Sequence, residues 1–507
     1  MALNAVLSWF IKKRIHQIDL FRKYPSEVQL DVFQHLVQKS KDTEWGLKYG
    51  YADIKSTKAF QRQVPLQHYE DIQPYVDRLI AGEQNLLWPT DIKWFAKSSG
   101  TTSHKSKFIP VSREALEDCH YKGGKDLLSL FYNHCEGANL YDGKSLVVGG
   151  SSQINHLNAD SYFGDLSAII VKNLPFWVEY RRTPDISVAL MSVWEEKIEA
   201  MARLTAQENV TNMAGVPSWT LVLLRKILEI TGASTIAEVW PNLQLFMHGG
   251  VSFEPYRDQF KSIIGKPISY LESYNASEGF FGIQDRMGSP EMLLMLDYGI
   301  FFEFIPLSEL DSQNPVVLTL DEVELNQNYA LVISTNAGLW RYIIGDTLKF
   351  TQLKPYRFTI TGRTKSFINV FGEELMVHNT DKAIAEVCRE HRSSVSEYTV
   401  GPVFMGLEAQ GAHQWLIEFD QEPNNVEAFM VDLDQALMRL NSDYEAKRAS
   451  NLNLRFPEYR ILPKGTFYSW LKEKGKLGGQ HKVPRLSNTR VYVDELLQFS
   501  EEVGQQR

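Results

Sequence analysis

A ten-residue polar stretch, SSGTTSHKSK at positions 98–107, lies between two short apolar runs, Trp94–Ala96 and Phe108–Val111. The pattern predicts a strand, a polar loop and a second strand, and therefore a hairpin. The glycine lets backbone N–H groups turn toward one point, the hydroxyls add donors, and the lysines supply charges that bind phosphate. The stretch alone fits a polyphosphate-binding loop or a solvated hairpin. It is not a Walker loop, because G-x-x-x-x-G-K-[ST] is absent.

The composition is that of a globular chain with an ample core: 507 residues, 44% hydrophobic and 23% charged. The net charge of −9 argues against broad nucleic-acid binding. Three widely spaced cysteines form neither a disulfide framework nor a zinc pattern, which favours a reducing compartment. The apolar run Leu3–Ile11 has its charges after it, unlike a signal peptide, and no stretch is long enough for a membrane span. We therefore expect a cytoplasmic protein, by default a monomer.

The order of patterns predicts an α/β fold with two domains. Residues 1–85 have helical periodicity, and short apolar strands then alternate with helices. Residues 298–361 are dense in short strands, which suggests a small barrel or an antiparallel sheet. Helices and strands alternate again beyond this region, as in a small α+β domain. The predicted domains are 1–362 and 363–507.

Three polar loops follow predicted strands, where ligands gather in α/β folds. They are His248–Gly250, Asn275–Gly279 and Gly345–Asp346. A His-Gly-Gly run occurs in hydrolase oxyanion loops, but those enzymes also need a G-x-S-x-G elbow, which is absent. A backbone platform at a strand end is the favoured interpretation.

These motifs together resemble the adenylate-forming superfamily and, within it, the Gretchen Hagen family of acyl acid–amido synthetases in a bacterial-type form. The residues that carry the resemblance are the loop 98–107, Tyr274–Gly279, Tyr342–Asp346, Gly362-Arg363 with 372–374, Asn441–Arg448, and Lys482–Arg485. The match covers nearly the whole chain. His104 stands where the family usually has a glycine.

The resemblance implies an enzyme that uses ATP and magnesium. It would adenylate a carboxylic acid, release pyrophosphate, and transfer the acyl group to an amine, with an amino acid as the expected acceptor. The smaller domain would be mobile and would rotate about Arg363–Lys365. Two alternatives stay open: an acyl-CoA ligase with the same adenylate chemistry, and a non-catalytic nucleotide or acid sensor.

The resemblance also implies roles for single residues. The triphosphate would be held by Ser98, Ser99, Gly100, Thr101, Thr102 and Lys107. Thr102 or Ser277 would touch the α-phosphate, and Glu278 would ligate magnesium. The adenosine would be held by Gly249, Gly250, Tyr274, Asp346 and Arg363, with both ribose hydroxyls on the Asp346 carboxylate.

A lysine from the C-terminal domain would stabilise the α-phosphate charge, and Lys382 and Lys482 are both candidates. The acyl group would contact Met213, Val216 and Trp219, together with the helix within 115–131. Each assignment has a plainer alternative. Asp346 could close a turn, Glu278 could cap a following helix, and Tyr274 and the acyl residues could belong to the core.

Overall fold

The computed structural model describes residues 2–98, 107–149, 155–156, 161–174, 176–191, 194–250, 253–310, 312–364, 367–368, 370, 373, 375–404, 411–448, 454–474 and 483–505. The chain divides into two compact units. The larger consists of Met1–Val251, Gln259–Ile344 and Leu348–Thr359, and the smaller of Ser252–Asp258, Gly345–Thr347 and Ile360–Arg507. The mixed α/β fold, with a large N-terminal and a smaller C-terminal part, confirms the predicted class.

Thirteen helices precede residue 265 in the described chain. They are α1 (Ala2–Lys23), α2 (Pro25–Ser40), α3 (Glu44–Lys48), α4 (Thr57–Gln63), α5 (Tyr69–Ile80), α6 (Tyr121–His134), α7 (Leu166–Lys172), α8 (Phe176–Glu179), α9 (Ile186–Ala189), α10 (Trp194–Thr205), α11 (Pro217–Thr231), α12 (Ile236–Val239) and α13 (Arg257–Ile264). A π-helical turn, Ala115–His120, leads into α6.

The first helices begin where the sequence supplies caps. Pro25 occupies the first turn of α2, where its missing N–H costs no hydrogen bond. The Thr43 hydroxyl accepts the Gly46 N–H at 3.0 Å at the start of α3. Among the described residues, no helix has both the length and the hydropathy needed to cross a membrane.

Fifteen strands precede residue 364 in the described chain. They are β1 (Trp94–Ser98), β2 (Lys107–Val111), β3 (Lys144–Val148), β4 (Asn155–His156), β5 (Tyr162–Gly164), β6 (Arg182–Thr183), β7 (Val210–Gly215), β8 (Leu245–Gly249), β9 (Ser269–Ala276), β10 (Gly279–Ile283), β11 (Met292–Leu294), β12 (Ile300–Pro306), β13 (Asn328–Thr335), β14 (Tyr342–Leu353) and β15 (Tyr356–Arg363).

Eleven of these strands form one sheet in the order β12-β13-β14-β15-β11-β10-β9-β8-β7-β3-β6. The strands β6, β3, β7, β8 and β9 run parallel. From β9 through β10 and β11 to β15 the pairing is antiparallel, as it is between β12 and β13. The strand-dense region 298–361 thus belongs to the large sheet. Its sequence allowed a small barrel or an antiparallel sheet, and the structure has the antiparallel sheet. A second sheet has the order β2-β1-β5-β4.

The smaller unit has its own layers. Its remaining elements are β16 (Phe367–Ile368), β17 (Leu375–Met376), α14 (Val377–Glu390), β18 (Ser394–Val403), β19 (Ala412–Gln421), α15 (Val426–Leu440), α16 (Ser442–Arg448), β20 (Glu458–Leu462), α17 (Thr466–Glu473) and α18 (Val491–Gln505). The strands β18, β19 and β20 form a sheet in that order. Its core joins sheet residues such as Trp415 to helix residues such as Phe429 and Leu433, all buried.

Two sequence segments with patterns that predict strands, residues 316–320 and 459–468, differ from the observed elements. Residues 316–320 make only a bridge from Leu318 to Phe304, because the next residues form a 3₁₀ turn. Thr319 caps this turn, and its N–H donates to the Glu322 carboxylate at 2.8 Å. The strand expected over 459–468 ends at Leu462, and α17 begins at Thr466.

Candidate active site

The carboxyl ends of three parallel strands meet at one edge of the large sheet. In the register, Gly215 of β7 lies beside His248 of β8, and Gly249 lies beside Ser273 of β9. Ser277 and Glu278 form the two-residue turn between Ala276 of β9 and Gly279 of β10. The structure therefore brings the Gly249–Gly250 loop and the Ser277–Glu278 turn to the same edge, as expected for a ligand site in a parallel sheet.

Two glycines allow the backbone to turn at this edge. A Cβ on Gly249 would lie 2.3 Å from the Ser273 carbonyl oxygen, so β8 and β9 can approach only because the side chain is absent. Gly250 has a φ of +84°, in the left-handed region that favours glycine. The resemblance implies that these glycines lie near the adenine, and this stays a prediction. The close contact with β9 explains a glycine at position 249, and the positive φ explains one at position 250, without any ligand.

A hydrogen bond holds the turn that carries Glu278 in place. The Phe280 N–H donates to Cys119 Sγ at 3.2 Å, which ties the turn to the π-helical turn before α6. Ser277 is buried, and Glu278 is partly exposed. The alternative in which Glu278 caps a helix is wrong, because β10 follows it.

The donor set at this edge fits magnesium. The described residues contain no cluster of three or more His, Cys, Asp or Glu side chains that could hold a metal alone. Mg²⁺ is commonly bound by one or two carboxylates together with substrate phosphates, and it keeps several waters. A single carboxylate such as Glu278, beside a nucleotide, is that kind of site.

Tyr274 belongs to the packed interior. Its ring is 6% exposed, and its centroid lies 4.8 Å from that of Phe281 and 6.1 Å from that of Phe358. The ring therefore fits the alternative in which Tyr274 belongs to the core. An adenine would meet only the small remaining exposed part, and its stacking on Tyr274 stays a prediction.

The predicted phosphate loop has the expected base. β1 and β2 pair antiparallel up to Ser98 opposite Lys107. The Lys107 ammonium lies 5.5 Å from the centroid of the Tyr69 ring, whose hydroxyl accepts the Phe108 N–H at 2.8 Å. Burial raises the pKa of Tyr69. The other members of the loop predicted to hold phosphate, Ser99, Gly100, Thr101 and Thr102, lie outside the described residues.

Within the smaller unit, two predicted nucleotide residues contact each other. Arg363 Nε donates to Asp346 Oδ1 at 2.8 Å, and the two side chains are 43% and 15% exposed. Gly345 has a φ of +90°, and its carbonyl accepts the Thr364 N–H at 2.8 Å. Asp346 lies inside β14, so the alternative in which it only closes a turn is wrong. A carboxylate beside an arginine, partly open to solvent, is suited to a ribose.

Three family models match the chain in order. They are the GH3 family N-terminal domain over residues 14–268, the central domain over 293–363 and the C-terminal domain over 378–491. The first alone matches half of the chain. The chain belongs to the GH3 family. The resemblance seen in the sequence is thereby confirmed.

Curated relatives of this GH3 family member match over nearly their whole length. Indole-3-acetic acid-amido synthetase GH3.3 of Arabidopsis thaliana is 22% identical, over 94% of this chain and 90% of that protein. Jasmonoyl-L-amino acid synthetase JAR4 of Nicotiana attenuata is 22% identical, over 93% of this chain and 92% of that protein.

Solved structures share the fold. The GH3.15 acyl acid amido synthetase has a TM-score of 0.78 at 17% identity and covers 97% of this chain and 96% of its own. A 2-hydroxyisobutyryl-CoA ligase in the postadenylation state has a TM-score of 0.57 at 11% identity, over 93% and 91% of the two chains. The chain therefore shares the α/β fold of these two enzymes, as the motifs led us to expect.

The acyl residues predicted for this GH3 chain separate into two environments. Met213 is fully buried in the middle of β7, between Leu146 and Phe246 in the register. Val216 and Trp219 are half-buried where β7 ends and α11 begins. Val216 and Trp219 thus lie at the edge of the sheet that carries Gly249–Gly250 and Ser277–Glu278, which we call the ligand edge. Met213 is part of the sheet's interior.

The two candidate lysines differ in how they are placed. Lys382 is exposed on α14, whereas its neighbours Thr380 and Asp381 face inward. Both neighbours hydrogen-bond the Tyr398 hydroxyl, at 2.7 and 2.6 Å. Lys482 lies outside the described residues.

The 441–448 run of this GH3 chain has a structural role. The Tyr444 hydroxyl donates to Asp434 at 2.7 Å, and Arg448 binds the same carboxylate through Nε at 2.9 Å and Nη2 at 2.6 Å. Asn441 Oδ1 accepts the Tyr444 N–H at 2.8 Å, and α16 begins at the next residue, Ser442. The run therefore joins α16 to α15.

Sequence reasoning missed Lys197 at the ligand edge. Its ammonium donates to the carbonyls of Gly149, which follows β3, at 3.2 Å and of Ala189 at 2.7 Å. Burial lowers the pKa of Lys197 to about 8. A lysine in an amphipathic helix normally faces solvent, so the helical pattern of α10 contains no signal for this position.

Proposed function

We propose that this GH3 family member is an ATP-dependent acyl acid–amido synthetase. It adenylates a carboxylic acid and transfers the acyl group to an amine, with an amino acid as acceptor. The observation that carries the proposal is the match across all three GH3 domains, with relatives named as acid–amino acid synthetases aligned over nine-tenths of both chains. The ligand edge of the sheet supports it.

In the first step, a carboxylate oxygen of the acid attacks the α-phosphorus of ATP. An O–P bond forms, the bond to pyrophosphate breaks, and acyl-AMP results. The Glu278 carboxylate would hold Mg²⁺, which would supply positive charge that stabilises the phosphates. The α-phosphate would be contacted by Ser277, in the same turn, or by Thr102. Such donors act by positioning and by stabilising charge in the transition state.

Asp346 and Arg363 would hold the ribose. The Asp346 carboxylate has two acceptor oxygens, and Oδ1 already accepts from Arg363. The arginine thereby orients the carboxylate, which would accept the ribose hydroxyls.

In the second step, the neutral amine nitrogen attacks the acyl carbon. The C–N bond forms, the C–O bond to AMP breaks, AMP leaves and the nitrogen gives up a proton to solvent. The half-buried Val216 and Trp219 at the ligand edge favour an apolar acid, and an aromatic acid would pack well on the indole.

The test is pyrophosphate release from the purified full-length protein with magnesium-ATP. A panel of aryl and alkyl carboxylic acids is supplied, each with and without pooled amino acids, and products are read by mass spectrometry. We expect acid-dependent release that rises with amino acids and gives an amide. Release that requires coenzyme A would move the protein to the ligase class. ATP binding without turnover across the panel would favour a sensor.

A further inference from the structure

We infer that Lys197 is a positioning residue for the acyl site: its buried ammonium holds the carboxyl end of β3 beside Val216 and so sets how closely the site fits the acid. The inference rests on the proposed function and adds to it a residue on which binding of the acid depends. Every residue it uses belongs to the larger unit.

The ammonium of Lys197 is bound entirely inside the protein. The residue lies on α10 and is 0% exposed, whereas lysine is almost never fully buried unless its charge is compensated. It donates to the carbonyl of Ala189, the last residue of α9, at 2.7 Å, and to the carbonyl of Gly149 at 3.2 Å. Lys197 therefore joins α9 and α10 to the end of β3 through contacts that no apolar side chain can make.

The charge on Lys197 survives its burial. Burial lowers the pKa of Lys197 to about 8, with Asp165 favouring the charged form and Arg182 opposing it. Asp165 lies at the start of α7 and Arg182 in β6, and both are buried. The ammonium is therefore the main form at pH 7, and it can donate to both carbonyls at once.

Gly149 is contacted from three sides at the ligand edge. β3 and β7 pair in parallel up to the residues just before Gly149 and Val216, so these two are next along neighbouring strands. From a second side α7 approaches closely, because a Cβ on Gly149 would lie 3.3 Å from Ser167 Oγ. Lys197 holds the third side through the carbonyl. The position of the β3 end relative to Val216 therefore depends on Lys197.

This position matters for the acid because Val216 and Trp219 are proposed to contact the acyl group. Contacts with the acyl group, unlike those with the reacting carboxylate, are made equally in the ground state and the transition state. Their loss raises the KM for the acid and leaves kcat little changed. A displacement of about 1 Å in such a site can cost up to about a hundredfold.

A lysine that only stabilised the fold would behave differently. Its loss would reduce the fraction of folded enzyme, which lowers the apparent kcat and leaves each KM unchanged. Lys197→Met separates the two cases, because methionine is of similar length and carries neither the donors nor the cost of burying a charge. We expect its Tm to shift by only a few degrees.

The experiment measures pyrophosphate release by Lys197→Met, Val216→Ala and the double variant. The probe acids are phenylacetic, 4-phenylbutyric and octanoic acid, and the one with the lowest wild-type KM is used throughout. Lys144→Met is the matched control, because Lys144 begins the same strand and its Nζ also donates to a backbone carbonyl, that of Tyr180, at 3.0 Å.

We expect Lys197→Met to raise the KM for the acid about tenfold, with kcat and the KM for ATP changed less than about twofold. In the Val216→Ala background the Lys197 change should add much less, because both act on the same contact. Lys144→Met should leave both KM values as in the wild-type protein. An unchanged KM for the acid, equal rises in both KM values, or full additivity with Val216→Ala would overturn the positioning role.

The restraint itself has a readout that needs no activity. Hydrogen exchange of the amides in 146–149 and 214–216 should quicken in Lys197→Met and stay unchanged in Lys144→Met. Unchanged exchange in Lys197→Met would refute the restraint on β3. Failure of the proposed function alone would appear as no acid-dependent pyrophosphate from the wild-type protein, with the exchange result preserved.

Discussion

At the scale of single residues, Asp346 is the sharpest test of nucleotide binding. We expect Asp346→Ala to lower adenylation about a hundredfold, because the ribose loses a charged acceptor. Stability should change by less than about 1 kcal/mol, since the Arg363 partner is 43% exposed and regains water. The measurements are pyrophosphate release and thermal unfolding, with Asp494→Ala as control, because the Asp494 side chain is 57% exposed and also pairs with an arginine, Arg490.

A second nucleotide makes this prediction specific. If Asp346 accepts the ribose hydroxyls, the wild-type protein should discriminate against 2′-deoxy-ATP, and Asp346→Ala should lose most of that discrimination. Equal preference for ATP in both proteins would remove Asp346 from the ribose site even if activity fell.

His120 provides a residue-scale prediction about pH. It is buried, its Nδ1 has no hydrogen-bond partner in the described structure, and burial lowers its pKa to about 4. The unfolded chain takes up this proton near pH 6.5, whereas the folded protein resists it until about pH 4. The His120 contribution to stability is therefore complete above pH 6.5 and falls by about 1.4 kcal/mol per pH unit below it.

We expect His120→Gln to remove this slope from denaturant unfolding measured between pH 7 and pH 5. His35→Gln, at an exposed position, should leave the slope as it is in the wild-type protein. An identical slope in His120→Gln and wild type would show that His120 is accessible to protons in the folded state.

At the scale of elements, α1 is fastened to α6 by a buried ion pair. Arg14 binds Asp126 through Nε at 2.9 Å and Nη2 at 2.9 Å, and Asp297 through Nη2 at 2.8 Å. Asp126 is fully buried and also accepts from the Tyr298 hydroxyl at 2.7 Å. We expect Arg14→Met to cost about 3 kcal/mol or more, because it leaves buried carboxylate charge without its partner.

The measurement is urea unfolding at pH 7, and Arg113→Met is the matched control. Arg113 forms an exposed pair with Glu117, 80% and 52% exposed, whose loss should cost less than about 0.5 kcal/mol. If both variants lost the same small amount, α1 would contribute little to the folded unit through this pair.

The sequence predicted the order of elements better than their limits. The apolar runs Leu339–Ile344 and Leu348–Thr351 predict two separate short strands, with Gly345 and Asp346 between them. In the structure they largely merge into β14, which contains Gly345 at a φ of +90°. Periodicity identifies an apolar run, but it does not report that a strand continues through a glycine with a positive φ.

At the scale of the whole molecule, the motifs predicted the family and the fold because they recur in order along nearly the entire chain. The sequence did not predict equally well whether each side chain points into the core or toward the site. Tyr274 and Met213 lie within strands, and only their neighbours reveal their burial: the Phe281 and Phe358 rings for Tyr274, and the adjacent strand residue Phe246 for Met213. No sequence pattern predicted the contacts of Asp434, because its partners Tyr444 and Arg448 follow it by ten residues or more.

The smaller unit raises a question about folding that the predicted boundary at residue 363 makes testable. Its main core joins α14 and α15 to β18 and β19, and all the buried members fall within residues 368–486. Its inner polar contacts are also local: His413 binds Glu373 at 2.8 Å with both side chains fully buried, and Arg448 binds Asp434. A unit with its own hydrophobic core and its own buried ion pairs is able to fold alone.

We therefore expect a fragment of residues 363–507 to unfold cooperatively in urea, monitored by the fluorescence of the buried Trp415 and Trp470. Tyr444→Phe, which removes the hydrogen bond to Asp434, should destabilise it by about 1–3 kcal/mol while preserving the cooperative transition. The fragment lacks Ser252–Asp258 and Gly345–Thr347, the two segments from earlier in the chain that complete the unit. A broad, non-cooperative transition would mean that those segments are integral to the core, and that the folding unit does not coincide with the predicted boundary.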